Sequence, residues 1–174
     1  MESEGSFSAT KAGKSYIVKV NGIHPEGKAM LFQFDSGASV TLLGLNSFCD
    51  KDDTESYDFL KKIIEDEIKA GGFDKLKNSG STATEQNIDM YPCKYDGVSI
   101  SGTSEITLYF HIYLGNIGMP LLGFDYIDDT SYHHSIGGDL VINAVANDIG
   151  KRFYPDKVID CNIVFEKYKK SRLQ

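Results

Sequence analysis

Phe32-Gln33-Phe34-Asp35-Ser36-Gly37-Ala38-Ser39-Val40 is the stretch from which the rest of the chain can be read. An apolar run beginning at Met30 and Leu31 drives into an acid, a small hydroxyl and a glycine. A strand that thrusts a carboxylate into a turn amid apolar neighbours is costly. Burial without partners takes on the order of several kcal/mol from a carboxylate or forces a proton onto it. Asp, Ser and Gly are also ordinary turn formers, so the tetrapeptide gains meaning only from what surrounds it.

Upstream, residues 15–20 alternate and carry Tyr16, Ile17, Val18 and Val20, a strand by period and by propensity. Asn21-Gly22 and His24-Pro25-Glu26-Gly27 supply turn chemistry, and residues 28–34 return as a second strand, so a hairpin delivers Asp35. Downstream, residues 40–43 form another short apolar strand that stops at Gly44. The period then changes. Phe59, Leu60, Ile63, Ile64 and Ile68 recur at helical spacing, with Asp52 and Glu55 as a capping box and Gly71-Gly72 as the stop. This predicts a helical insertion over about 52–72.

Residues 80–87 are a polar, small-residue tip between strands at 88–95 and 105–114, with Val98-Ser99-Ile100 following an Asp96-Gly97 turn. The second of these strands is the clearest period-two segment: Ile106, Leu108, Phe110, Ile112 and Leu114 line one face. Met119-Pro120-Leu121-Leu122-Gly123 then closes on a glycine ahead of a short helix. Residues 130–138 read as a polar loop, and 140–145 and 158–168 as the last strands. Residues 1–14, without periodicity, read as a mobile arm preceding a single domain over 15–174, with a C-terminal extension after about 147.

The chain has 174 residues, 41% of them apolar and 25% charged, as expected of a globular protein with a real core. A net charge of −7 argues against nucleic acid as a partner, since phosphate neutralisation needs a basic face. Lys167, Lys169, Lys170 and Arg172 read as a solvated tail. No apolar stretch approaches the roughly 18 residues of a membrane span, and Met1-Glu2-Ser3-Glu4-Gly5-Ser6 is the opposite of a secretory signal. The expectation is a cytoplasmic protein with no membrane partner. Cys49, Cys93 and Cys161, odd in number and widely spaced, imply no disulfide framework.

Asp35-Ser36-Gly37-Ala38, the 80–87 tip and Leu121-Leu122-Gly123 occur in the order found in the retropepsin-like aspartic peptidases, and the chain resembles that family over roughly 15–145. There a strand delivers the Asp-Thr/Ser-Gly-Ala motif, a flap hairpin covers the site, and an apolar-apolar-Gly motif opens a helix. The resemblance implies a mostly β, barrel-like acid protease fold with a flap hairpin and a short C-terminal helix, to which this chain adds the helical insertion and the extension. It implies Asp35 as the catalytic acid and base, with Ser36, Gly37 and Ala38 supporting the loop. Thr82, Ala83, Thr84, Glu85 and Gln86 would close over a peptide or protein substrate, and Leu121, Leu122 and Gly123 would pack beneath the loop.

Peptide hydrolysis by water needs a base to activate the water and an acid for the leaving amine. Two adjacent carboxylates share one proton and serve as both. This chain has one such motif. Asp125 lacks a hydroxyl-glycine partner, and Asp128-Asp129-Thr130 lacks the glycine. The resemblance therefore implies a homodimer that pairs two copies of Asp35, an endopeptidase needing no metal or cofactor. The alternative is a catalytically silent dimerisation or peptide-binding module of the same fold.

Other constellations are weaker. Gly13-Lys14-Ser15 ends like a phosphate loop, but Ser8 stands where that loop needs glycine. His133-His134 with His111 and Cys93 fits no standard zinc spacing. Asp50-Lys51-Asp52-Asp53 lacks the glycine and glutamate of a calcium loop and reads as the start of the helix.

Overall fold

The computed structural model describes residues 6–13, 15–35, 37–73, 76–77, 89–101, 105–128, 130–134, 140–143 and 150–172. At its centre β2 (Ser15–Asn21) and β3 (Met30–Phe34) pair antiparallel, from Val20↔Met30 to Tyr16↔Phe34. Their alternation puts Val18, Val20, Met30 and Phe32 into the core, while Lys19 and Leu31 face outward. The hairpin turns at Gly27, whose positive φ of 77° suits glycine and whose N–H donates to the His24 carbonyl at 2.9 Å.

From β3 the ladder runs on to β8 (Leu121–Leu122), β4 (Leu42–Gly44), β7 (Ile106–Tyr113) and β6 (Asp89–Ile100). β6 then returns to β2 through Val20↔Ile100 and Asn21↔Ser99, closing a six-stranded barrel among the described residues. Phe32, Leu43, Phe110, Ile112 and Leu122 are all buried in one continuous hydrophobic core. Closure removes the open edges that an isolated sheet of these strands would expose.

The helical insertion is α1 (Thr54–Gly71), which buries Leu60, Ile63 and Ile64. Its N-cap is Asp53, one residue later than the sequence suggests: the Asp53 side chain accepts from the Ser56 N–H at 3.2 Å. At the far end Gly72 takes the left-handed conformation and donates its N–H to the Ile68 carbonyl. A mostly β, barrel-like class with a helical insertion is thus the observed architecture.

Four segments differ from the sequence reading. Residues 6–12, inside the stretch read as an arm, form β1, which pairs with β10 (Leu140–Asn143) at one end and β2 at the other. Main-chain pairing to two partners organises a segment with no hydrophobic period of its own. Residues 131–134, read as loop, form β9 against β10. β6 continues through Asp96-Gly97 as one bulged strand: Gly97 has φ 80°, and Asn162 Oδ1 accepts the Asp96 N–H at 2.9 Å. Residues 158–168, read as a strand, are a two-residue β11 (Ile159–Asp160) followed by α3 (Cys161–Arg172). α3 buries Cys161, Val164, Phe165 and Tyr168 against the barrel and α1; Phe165 lies 4.7 Å from the Phe48 ring, and Tyr168 lies 6.1 Å from that of Phe59. Lys167 reaches Glu67 of α1 at 2.7 Å. Among the described residues no helix is long and apolar enough to cross a membrane.

Candidate active site

Asp35 leaves the end of β3 into a tight turn. Its N–H donates to the Leu122 carbonyl at 2.9 Å, extending the parallel β3–β8 pairing (Gln33↔Leu121, Phe34↔Leu122) by one bond. Its carboxylate Oδ1 accepts the Gly37 N–H at 2.9 Å, and its carbonyl accepts the Ala38 N–H at 3.2 Å. The side chain is half-buried, so one oxygen is oriented by the turn while the group stays reachable. A Cβ on Gly37 would stand 3.2 Å from that oxygen, which explains the glycine by close approach.

Gly123 lies directly against the loop. A Cβ there would fall 2.3 Å from the Val40 carbonyl oxygen and 2.9 Å from that of Ala38. The next residue, Phe124, donates its N–H to the Ala38 carbonyl at 2.7 Å and opens α2 (Phe124–Ile127). Leu121, Leu122 and Gly123 are thus brought together with Asp35, Gly37 and Ala38. Ser36, and the flap residues Thr82, Ala83, Thr84, Glu85 and Gln86, lie outside the described residues.

Beneath the loop is a buried polar network that sequence reasoning missed. Asp125, only 2% exposed, accepts at Oδ1 from the Thr41 N–H (2.8 Å), the Thr41 hydroxyl (2.7 Å) and the Tyr126 N–H (2.8 Å). Its Oδ2 accepts a short hydrogen bond from the Tyr154 hydroxyl. The Thr41 oxygen in turn accepts the Gly123 N–H at 3.1 Å. His111, on β7, stacks its ring 4.8 Å from that of Tyr154 and brings Nδ1 to 3.3 Å from the same hydroxyl.

Burial pushes the Asp125 carboxyl up, and the hydrogen bonds from Tyr154, Thr41 and Tyr126 pull it partly back. Burial likewise holds His111 down at about 4, while burial and the neighbouring Asp125 carboxylate push the Tyr154 phenol up. Both oxygens of Asp125 are engaged here and neither is bonded to Asp35, so the acid following the Leu-Leu-Gly motif serves the scaffold.

No protein-family model and no curated protein sequence matches the chain. Among solved structures it is similar to a retropepsin-like aspartic protease from Rickettsia conorii, with a TM-score of 0.43 and 20% identity, covering 80% of this chain and 91% of that one. It is also similar to the EIAV protease complexed with the inhibitor HBY-793, with a TM-score of 0.34 and 17% identity, covering 69% of this chain and 92% of that one.

The remaining candidates are dispersed. Among the described residues no group of three or more His, Cys, Asp or Glu could hold a metal ion. His111 is committed to Tyr154, and Cys93, fully buried on β6, pairs in register with Phe110. A signal for the network did exist in the sequence. Asp125 sits within an apolar run, where an acid needs partners, and Thr41 follows the loop motif as a hydroxyl inside an apolar strand.

Proposed function

We propose that this chain is one subunit of a retropepsin-like aspartic endopeptidase, in which a homodimer sets the Asp35 carboxylates of two subunits side by side. The observation that carries this reading is the Asp35 turn: a half-buried carboxylate at the end of a barrel strand, oriented by the Gly37 N–H and tied to Leu122 just ahead of the tightly packed Gly123. A merely structural Asp-Ser-Gly turn has no need of a second strand and a glycine pressed against its underside.

In the proposed reaction, one carboxylate takes a proton from the water as it attacks the peptide carbonyl, and the protonated partner donates to the substrate; the proton then passes to the leaving amine. The residues at 82–86 would lie over an extended peptide that pairs through its main chain. Ser36 would bond across the two-fold axis and hold the paired loops in register.

The test is digestion of a diverse peptide pool by wild type, Asp35→Ala and Asp35→Asn, read by mass spectrometry, with sedimentation on the same samples. The expected result is a cleaving dimer and two non-cleaving, still dimeric variants. A statine-type transition-state mimic should inhibit the wild type. Undiminished cleavage by Asp35→Ala would sink the mechanism. A dimer that cleaves nothing between about pH 4 and 7 would mark a silent peptide-binding module.

A further inference from the structure

Residues 150–172 lie beyond the part of the chain that resembles the acid peptidases, yet they reach into the scaffold of the Asp35 loop. The approach begins at Gly150, whose φ of 86° turns the chain and where a Cβ would stand 3.1 Å from the Asp125 carbonyl oxygen. A short 3-10 turn (Lys151–Phe153) then delivers Tyr154. Its ring is buried between His111, 4.8 Å away, and Tyr109, 5.5 Å away, and its hydroxyl meets Asp125 Oδ2.

We propose that Tyr154 is a positioning residue for the Asp35 loop, acting through Asp125, Thr41 and Gly123. The path is continuous. Tyr154 is the one side chain on Oδ2 among the described residues, while Oδ1 carries the Thr41 amide and hydroxyl and the Tyr126 amide. The Thr41 hydroxyl gives its only proton to Asp125, so its oxygen is free to accept the Gly123 N–H. Gly123 is flanked by the two groups that hold the loop: the Leu122 carbonyl accepts from Asp35, and the Phe124 N–H donates to Ala38. Both ends of the turn therefore hang from one buried carboxylate.

The hydroxyl of Tyr154 is itself fixed. Having one proton, it gives that proton to Asp125 Oδ2, so a hydrogen bond from His111 requires the Nδ1–H tautomer, which donates to the Tyr154 oxygen. Removing the hydroxyl leaves Oδ2 buried and unpaired, which favours any rearrangement that lets water reach it. The rearrangement nearest to hand is a slackened Thr41–Gly123 contact and a looser Asp35 turn. This consequence for turnover rests on the peptidase reading above; the consequence for loop order does not.

The experiment compares the full-length wild type with Tyr154→Phe, which keeps the ring against His111 and Tyr109. Amide exchange is followed at residues 35–41 and 121–124 and, as a reference, at β6 and β7. Peptide cleavage is measured in parallel as kcat and KM. The expected result is exchange about tenfold or more faster in the two loop segments with the reference strands unchanged. The same variant should lower kcat by roughly ten- to a hundredfold with KM altered far less.

Unchanged loop exchange, or a uniform loss of protection across the barrel, overturns the proposal. If the wild type cleaves no peptide, the peptidase reading fails, and the exchange pattern alone still decides the role of Tyr154. Should Tyr154→Phe not fold, His111→Phe withdraws only the partner behind the hydroxyl. Faster exchange confined to 35–41 and 121–124 then supports the proposal, and a uniform change overturns it.

Discussion

Acidification should weaken this fold through His111. The imidazole is 5% exposed, and burial holds it at about 4 against an ordinary value of 6.5. In the unfolded chain it protonates as pH falls through 6.5, while in the native barrel it stays neutral until about 4. The unfolded state thus binds the extra proton within that window, and stability is lost as pH falls across it. The gap is worth about 3 kcal/mol at 1.36 kcal/mol per pH unit, a large part of the stability of a typical domain.

Asp125 works in the opposite direction. Burial raises its carboxyl in the native state, so protonating it on the way down favours the fold. His24, also lowered by burial, adds to the loss in acid. The His111 contribution is isolated by difference. His111→Gln keeps a donor for the Tyr154 oxygen and cannot titrate, while Asp125 and His24 remain in both proteins. Urea unfolding at intervals from pH 7 to 4 should show the wild type losing about 3 kcal/mol more than the variant. Curves that run parallel over this range, within about 1 kcal/mol, would refute the claim that His111 is held neutral by burial.

Four other substitutions probe the same region and the helix beyond it. Gly123→Ala should cost several kcal/mol, on the order of 3 or more, because its Cβ would meet the Val40 carbonyl oxygen at 2.3 Å and backbone has to move; a wild-type melting temperature would contradict the packing. Tyr126→Phe should raise stability by about 1 kcal/mol, since the buried Tyr126 hydroxyl has no hydrogen-bond partner among the described residues; a lower unfolding midpoint would reveal one. On α3, Ile163→Lys should fall within about 0.5 kcal/mol of wild type while Phe165→Ala costs about 3–5 kcal/mol, as a 48% exposed residue and a buried one should differ. Equal costs would favour a strand, in which positions 163 and 165 share a face.

That last contrast shows what the sequence makes legible. The barrel strands announce themselves where apolar residues alternate with polar or aromatic ones, as in β7, and the stripe of α1 is equally plain. The buried residues of α3 follow helical spacing too (Cys161, Val164, Phe165, Tyr168), but β-branched Val158, Ile159, Ile163 and Val164 bias a local reading toward strand. Burial against α1 and the barrel overrides that bias, which shows the weakness of strand propensity beside tertiary packing. β1 and β9 carry no such internal signal, because their order comes from the partners they pair with.

The two acids nearest the loop separate what motif and context can each reveal. Asp35 is legible because its neighbours in sequence are its neighbours in space: the Gly37 amide that orients it lies in the same turn. Asp125 takes only one of its donors, the Tyr126 amide, from the adjacent residue; Thr41 and Tyr154 arrive from distant parts of the chain. A carboxylate with a single local donor reads as a surface acid or a failed second motif, although it is the more deeply buried of the two. The difference follows from solvent. Asp35 keeps access to water and needs few partners, whereas Asp125 has lost it and must recover its hydration from Thr41, Tyr126 and Tyr154. An extension that supplies one of those donors is part of the barrel's working structure, so truncating the chain before Gly150 should disorder the Asp35 loop even though every residue of its motif remains.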